Sequence, residues 1–372
     1  MPPMVRTRST TAVPLPLAGG TELPEPGRLV PLSPFDAFWV ALPPVRRVFL
    51  FRSLPGVPFS DVAGTLRSSL AQVLPAFHPF AGALTYSPDS RALSIVLPDE
   101  WEGGSCGGVT FVEAEADLDF ERLVEEAAEH DQDALGQLVP DIRRDQLPAP
   151  VMAAQIAPRQ DPALDGRRRL SRRTFTFAAP AVQRLKQRLA SAANIGTAPS
   201  TFAALAAHGW FSSARASGFA DDAPVFAAFL ADCRAYMSPP APDAYAGNCV
   251  ALCMASLCGS VLAGPDGPAR ALLAVREAVA EVKRDPLRDR ARWWTKFTAI
   301  PPGRKVVLVG SPWFPAYGPD FGFGRPARVE LASMNHDGEM VLVAGREAGS
   351  VQASVSIAAG KMQAFRDVFM AE

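Results

Sequence analysis

The sequence predicts an α+β protein built of two domains, each layering helices on a sheet. Three observations carry that expectation. The chain has 372 residues, 48% of them hydrophobic and 20% charged, enough to bury two cores. Strand-like and helix-like segments alternate in both halves, so each half can cover a sheet with helices. Between the halves lies "PRQDPALDGRRRLSRR" (158–173), rich in Pro, Gly and Arg and without apolar periodicity. The expected division is therefore a first domain at 1–157, a shortened linker at 158–170, and a second domain at 171–372.

The elements follow in order. Residues 1 to 28 are rich in Pro, Gly and Thr and read as extended chain. "RRVFLFRSL" (Arg46–Leu54) alternates as a strand does. After Ser60, read as an N-cap, Val62, Leu66, Leu70 and Val73 share one helical face and Pro75 ends the run. "ALSIVLPD" (Ala92–Asp99) and "GVTFVEAEA" (Gly108–Ala116) are strands, and "DFERLVEEAAEH" (Asp119–His130) is an amphipathic helix with Phe120, Leu123 and Val124 inward. The second half opens with the strand "RTFTFAA" and a helix whose stripe is Val182, Leu185 and Leu189. A helix after Ser200, the strand "VFAAFLADCR" (Val225–Arg234) and a long helix at Ala269–Arg284 come next. "ARVELASMNHDGEMVLVAGREAGSVQASVSI" reads as a meander of three strands around an Asn-His-Asp-Gly turn, and a last helix turns Met362, Phe365 and Phe369 inward.

Charge and cysteine usage narrow the function classes. Lys and Arg number 37 against 38 acids, a net charge of −1, which gives nucleic acid and membrane surfaces no purchase. The basic run Arg167–Arg173 reads as a solvated linker. Five cysteines, Cys106, Cys233, Cys249, Cys253 and Cys258, form no CxxC pair, a pattern of reduced cytoplasmic thiols rather than a disulfide framework. Cys249 and Cys253 could face one way on a helix, but no further ligand completes a zinc site. No apolar core of a signal peptide follows the N-terminus, and "CVALCMASLCGSVLAG" (Cys249–Gly264) is too short and Gly-broken to span a bilayer.

Five blocks carry a family resemblance. "LSPFDAFWVALPPVRRVFLFR", "FHPFAGALTY", "STFAALAAHGWFSSA", "DCRAYMSPPAPDAYAGNC" and "SPWFPAYGPDFGFGRP" occur in that order. Together they resemble the plant BAHD acyltransferases of secondary metabolism, over nearly all of Leu32 to Phe369. "YAGNC" (Tyr245–Cys249) is similar to the block of the anthocyanin and phenolic-glucoside malonyltransferases, with Ala246 where they carry an aromatic. The resemblance implies two chloramphenicol-acetyltransferase-like domains, the first truncated here, in a cytoplasmic monomer. It implies acyl-CoA as cosubstrate with no permanently bound cofactor, and a phenolic or flavonoid glycoside hydroxyl as acceptor of a malonyl or aromatic acyl group. Asp320, Phe321, Gly322, Phe323 and Gly324 match the family's Asp-Phe-Gly-Trp-Gly block, with Phe323 for Trp. It further implies a structural role for that block, with Asp320 in a buried bidentate pair with Arg234 of "DCR". Glycines at 322 and 324 permit backbone conformations closed to other residues.

The chemistry of acyl transfer to an alcohol asks for a general base of near-neutral pKa, and histidine suits. The family supplies it as His-x-x-x-Asp-Gly after a strand entering the domain junction. This chain has four histidines and none is followed by Asp four residues on. His78 reads as packing at a helix end, His130 as solvated, His336 as part of a hairpin turn, and His208 beside Trp210 as a satisfied core residue, the fallback base. Asp165 and Gly166 form an Asp-Gly pair, but Asp161 stands where the histidine would be. "PAPVMAAQIA" resembles the strand that leads to the catalytic loop, and "RRRLSRRTFTF" the strand that opens the second domain. What the family places between them is missing: a strand, the loop, a helix and most of the crossover. Loss of that strand is expected to leave sheet edges open. The sequence thus admits an impaired acyltransferase, a non-catalytic binder of acyl-CoA or phenolic glycoside, or an inert truncated product.

Overall fold

The computed structural model describes residues 5–15, 29–40, 42–52, 57–97, 108–118, 120–125, 132–143, 145–160, 170–245, 247–322, 324–332 and 336–371. Its strands begin with β1 (Val5–Pro14), β2 (Leu29–Pro31), β3 (Arg47–Leu50), β4 (Ala83–Ser87), β5 (Ala92–Val96), β6 (Gly108–Asp117), β7 (Ala149–Pro150), β8 (Ala153–Ile156) and β9 (Arg159–Gln160). They continue with β10 (Leu170–Phe177), β11 (Pro224–Asp232), β12 (Val250–Cys258), β13 (Lys305–Ser311), β14 (Arg328–Leu331), β15 (Glu339–Ala344) and β16 (Val351–Ala358). The α-helices are α1 (Pro34–Val40), α2 (Phe59–Val73), α3 (Phe120–Val124), α4 (Gln132–Gln137), α5 (Ala179–Ala192), α6 (Thr201–Ser217), α7 (Gly259–Ala263), α8 (Gly267–Arg284), α9 (Trp293–Thr298) and α10 (Met362–Phe369). The chain divides into two units, Met1–Val124 with Gln132–Asp165 and Asp320–Ser333, and Glu125–Asp131 with Gly166–Pro319 and Met334–Glu372.

In the first unit β1 runs antiparallel to β6, and β8 and β9 lie parallel to it. Among the described residues β8 is an edge of this sheet. A second sheet has the order β2-β5-β4-β7. Of the residues expected on one face of α2, Leu66 and Leu70 pack on a cluster of Val13, Leu15, Leu74, Ala81, Leu97, Val109 and Phe111, whereas Val73 is exposed. The helix is capped two residues earlier than its Ser60 signal. Pro58 is the N-cap, in extended backbone, and the Ser60 hydroxyl meets Asp61 Oδ1 at 3.2 Å instead of capping. The acidic helix expected at Asp119–His130 is helical at Phe120–Val124 and leaves the helix at Glu125. Its remainder, His130 included, lies outside the described residues.

The expected three-strand meander is corrected. β14 pairs antiparallel with β3, Arg328 opposite Leu50 and Leu331 opposite Arg47. Only β15 and β16 form a hairpin, and β15 lies parallel to β13. The residues before β15 therefore do not join paired strands, so His336 is not in a hairpin turn. The same pairing corrects the linear boundary at 171–372, because Asp320–Ser333 belongs to the first unit. The cause is packing: Ala332 joins Val48, Leu50, Ala116, Leu118, Leu123 and Leu135 in one buried cluster, while the pairing satisfies the backbone groups of two short strands.

The second unit carries a six-stranded sheet of order β10-β16-β15-β13-β11-β12. Helices α5, α6, α8 and α10 pack on one another along it. α5 buries Val182, Leu185 and Leu189, and α10 buries Met362, Phe365 and Phe369, as their periodicity predicts. Phe369 meets the rings of Phe175 and Phe177 at 5.5 and 5.0 Å. α6 begins at Ser200, whose hydroxyl accepts from Ala203 N at 3.1 Å, an N-cap that satisfies an otherwise orphan helix donor. Cys253 lies on strand β12 and not on a helix. It shares a buried face with Cys249 through the two-residue period of extended chain. Among the described residues no helix is long and apolar enough to cross a membrane.

Candidate functional site

The face of the second unit's sheet turned away from α10 carries an unusual set of side chains. β16 alternates strictly: Val351, Ala353, Val355 and Ile357 on one side, Gln352, Ser354 and Ser356 on the other, all buried. β10 continues the pattern, with Arg172 opposite Ser356, Thr174 opposite Ser354 and Thr176 opposite Gln352. Arg172, Thr174, Gln352, Ser354 and Ser356 are each 4% exposed or less. Buried polar groups must find partners, and these do. The Thr174 and Ser354 hydroxyls share a hydrogen bond of 2.8 Å, and Gln352 Nε2 donates to Ser354 Oγ at 3.5 Å. The Tyr317 hydroxyl donates to Gln352 Oε1, and the Arg346 guanidinium lies 5.7 Å over the Tyr317 ring. A face of hydroxyls, an amide and a guanidinium suits a polar ligand better than a second apolar layer. The expected solvated linker at Arg167–Arg173 is corrected at its end: Leu170–Arg173 belong to β10, with Ser171 and Arg172 buried, while 167–169 lie outside the described residues.

The expected Arg234–Asp320 pair is corrected. Arg234 is half-buried, and its guanidinium donates to Asp232 Oδ2 at 2.8 Å and to the Gly247 carbonyl at 3.1 Å. Asp320 is exposed, and its Oδ1 accepts the N–H groups of Gly322 and Gly324 at 2.9 and 3.0 Å. Each side chain is thus engaged locally, within its own unit. The glycines behave as the block implies, with φ of +93° at Gly322 and +85° at Gly324; Phe323 lies outside the described residues. Phe321 packs edge-on against Phe51 at 5.9 Å. A buried ion pair does exist nearby, eight residues beyond Asp320: Arg328 Nε donates to Glu330 Oε1 at 2.7 Å, with both side chains 2% exposed or less.

None of the described histidines adjoins the polar face in an active role. His208 is 4% exposed, stacks on Phe369, and its Nε2 meets the Phe369 carbonyl at 3.0 Å. A carbonyl only accepts, so Nε2 carries the ring proton. Burial, aided by the charge of Arg188 and opposed by the Phe369 hydrogen bond, lowers its pKa to about 4. His78 is half-buried at the start of a short 3-10 turn, and His336 is exposed. Among the described residues no cluster of three or more His, Cys, Asp or Glu is placed to hold a metal ion.

A family model described as "Transferase family" matches residues 21–161 and 159–371. The chain belongs to this family, the BAHD transferases. This BAHD chain shares its fold with vinorine synthase, whose crystal structure aligns over 98% of both chains at a TM-score of 0.71 and 16% identity. TRI101 of F. sporotrichioides, solved with coenzyme A and T-2, aligns over 91% of the BAHD chain and 97% of its own at a TM-score of 0.67 and 14% identity. Phenolic glucoside malonyltransferase 1 of Arabidopsis thaliana is 29% identical over 208 residues, 53% of this chain and 44% of that protein. A malonyl-coenzyme A:anthocyanin 3-O-glucoside-6''-O-malonyltransferase of Dahlia pinnata is 30% identical over 141 residues, 37% of this chain and 30% of that protein. The BAHD chain therefore matches less than half the length of these two curated relatives.

Proposed function

We propose that this chain is an acyl-CoA-dependent O-acyltransferase of the malonyltransferase type, acting on a hydroxyl of a phenolic or flavonoid glycoside, and that it turns over far below its relatives. The observation that carries the proposal is the family match itself. It covers nearly the whole chain, includes malonyltransferases among the relatives, and falls into two segments that meet at 159–161. That is where the sequence lacks the His-x-x-x-Asp-Gly loop.

The second unit's polar face is proposed to line the acyl-CoA channel. The hydroxyls of Thr174 and Ser354 and the Gln352 amide hydrogen-bond one another, so they would back the channel wall rather than grip the ligand, and Arg172 would contribute positive charge behind it. What this face lacks is a base. His208 sits on the helix-covered side with Nε2 committed, and a base of pKa about 4 draws a proton from an alcohol only weakly. A second reading, a binder of acyl-CoA without turnover, draws on the same two features.

The test compares the purified chain with a version carrying a relative's strand–loop–helix between Ala157 and Arg169, using malonyl-CoA and a phenolic glucoside. The completed version is expected to be faster by about two to four powers of ten. Equal rates would refute the impairment. Saturable coenzyme A binding by both proteins, without turnover in either, would favour the binder.

A further inference from the structure

Beyond the polar face, the structure places two thiols in contact at the far end of the same sheet. Cys233 follows β11 and Cys249 precedes β12, so the pair extends the antiparallel register one step past Asp232 and Val250. The Cys233 N–H donates to the Cys249 carbonyl at 2.9 Å, the Cys233 thiol donates to the same oxygen at 3.2 Å, and the two sulfurs lie 3.4 Å apart. Both side chains are buried, Cys233 at 0% and Cys249 at 3% exposure. Residues opposite each other in an antiparallel ladder have Cα atoms about 4.5–5.5 Å apart, inside the range of roughly 4.4–6.8 Å that a disulfide spans. The sulfurs need only close to about 2.05 Å.

We propose that Cys233 and Cys249 are a modification site: an intramolecular disulfide forms between them under a hydroperoxide and locks the loop from Arg234 to Asn248. The sulfur of Cys249, the more exposed of the two, attacks the peroxide oxygen, giving a sulfenic acid and a water that carries off the thiol proton. The Cys233 sulfur then attacks that sulfenic sulfur and displaces the hydroxyl, which leaves as water with the Cys233 proton. Two thiols and one hydrogen peroxide become one disulfide and two waters, so atoms and electrons balance. Burial pushes the Cys233 thiol up to about 12, so it does not initiate; its sulfur, 3.4 Å from that of Cys249, is the one placed to resolve. The loop is already drawn closed at its base, because Arg234 bridges Asp232 and the Gly247 carbonyl. The disulfide makes that closure covalent.

The experiment uses the full chain with Cys106→Ser and Cys258→Ser, reduced and then treated with limiting hydrogen peroxide. Alkylation under denaturing conditions and non-reducing peptide mapping should recover one linked peptide, Cys233 to Cys249, with two thiols lost per chain and regained with dithiothreitol. Cys253→Ala should leave the link intact, and Cys249→Ser should abolish it. In the linked form the amides of residues 236–248 should exchange more slowly by about tenfold or more. Recovery of both thiols in alkylated form, their conversion to sulfinic acids, or a Cys249–Cys253 link would overturn the site. A linked form whose loop exchanges as fast as before would overturn the lock.

Discussion

At position 208 burial decides the protonation state. His208 takes its proton near pH 4 in the folded chain and near 6.5 when unfolded. Between those values the unfolded chain binds the proton first, so acidification from pH 6.5 to 4 removes stability and further acidification removes no more through this group. At about 1.36 kcal/mol per pKa unit the loss approaches about 3 kcal/mol. Thermal unfolding followed across that window should show a steeper fall for the native sequence than for His208→Gln; parallel curves would contradict the assignment. The glycines of the Asp320 turn allow a second test. A Cβ at Gly322 or Gly324 meets nothing within 4 Å, so Ala there costs torsional strain alone, about 1–3 kcal/mol at a positive φ, visible as a lower Tm for Gly324→Ala. These conformations were legible because glycine spacing encodes them. The partner of Asp320 was not, since a motif names a carboxylate without saying which donor reaches it first. Two amides of its own turn meet it.

Helices and strands differ in how much of themselves the sequence displays. The stripes Val182–Leu185–Leu189 and Met362–Phe365–Phe369 were readable because a 3.6-residue period states which face is buried. Phe369 should repay that burial: Phe369→Ala removes contacts to Phe175, Phe177, Phe365 and His208 and is expected to cost about 3–5 kcal/mol in denaturant unfolding. A strand's alternation states its faces but not its neighbour, so β14 was placed in the wrong sheet. In β14 the dry Arg328–Glu330 pair makes a sharper case. Arg328→Met strands a buried carboxylate at a cost of about 3–5 kcal/mol. The double variant Arg328→Met/Glu330→Gln should recover much of that loss, and additive losses would show that the two side chains act separately.

On the scale of the whole chain the two units are unequal in continuity. Fragments 1–165 and 166–372, expressed together, should purify as one complex through β3–β14 pairing, whereas 1–165 alone should aggregate. A monodisperse, cooperatively unfolding 1–165 fragment would contradict this. The division into two α+β units was visible in the sequence, because each half brings its own alternating strands and helices. The exchange of Asp320–Ser333 was not, because pairing between distant segments leaves no local mark. That exchange also sets an order of events during synthesis. The ribosome releases β3 early, yet its hydrogen-bonding partner emerges only when most of the chain has been made. Domains usually fold from the N-terminus as they appear, and contacts distant in sequence slow folding. Here the first unit to be translated is the last that can be finished, and Val48 and Leu50 must wait, uncovered, for a strand translated after the long helices of the second unit.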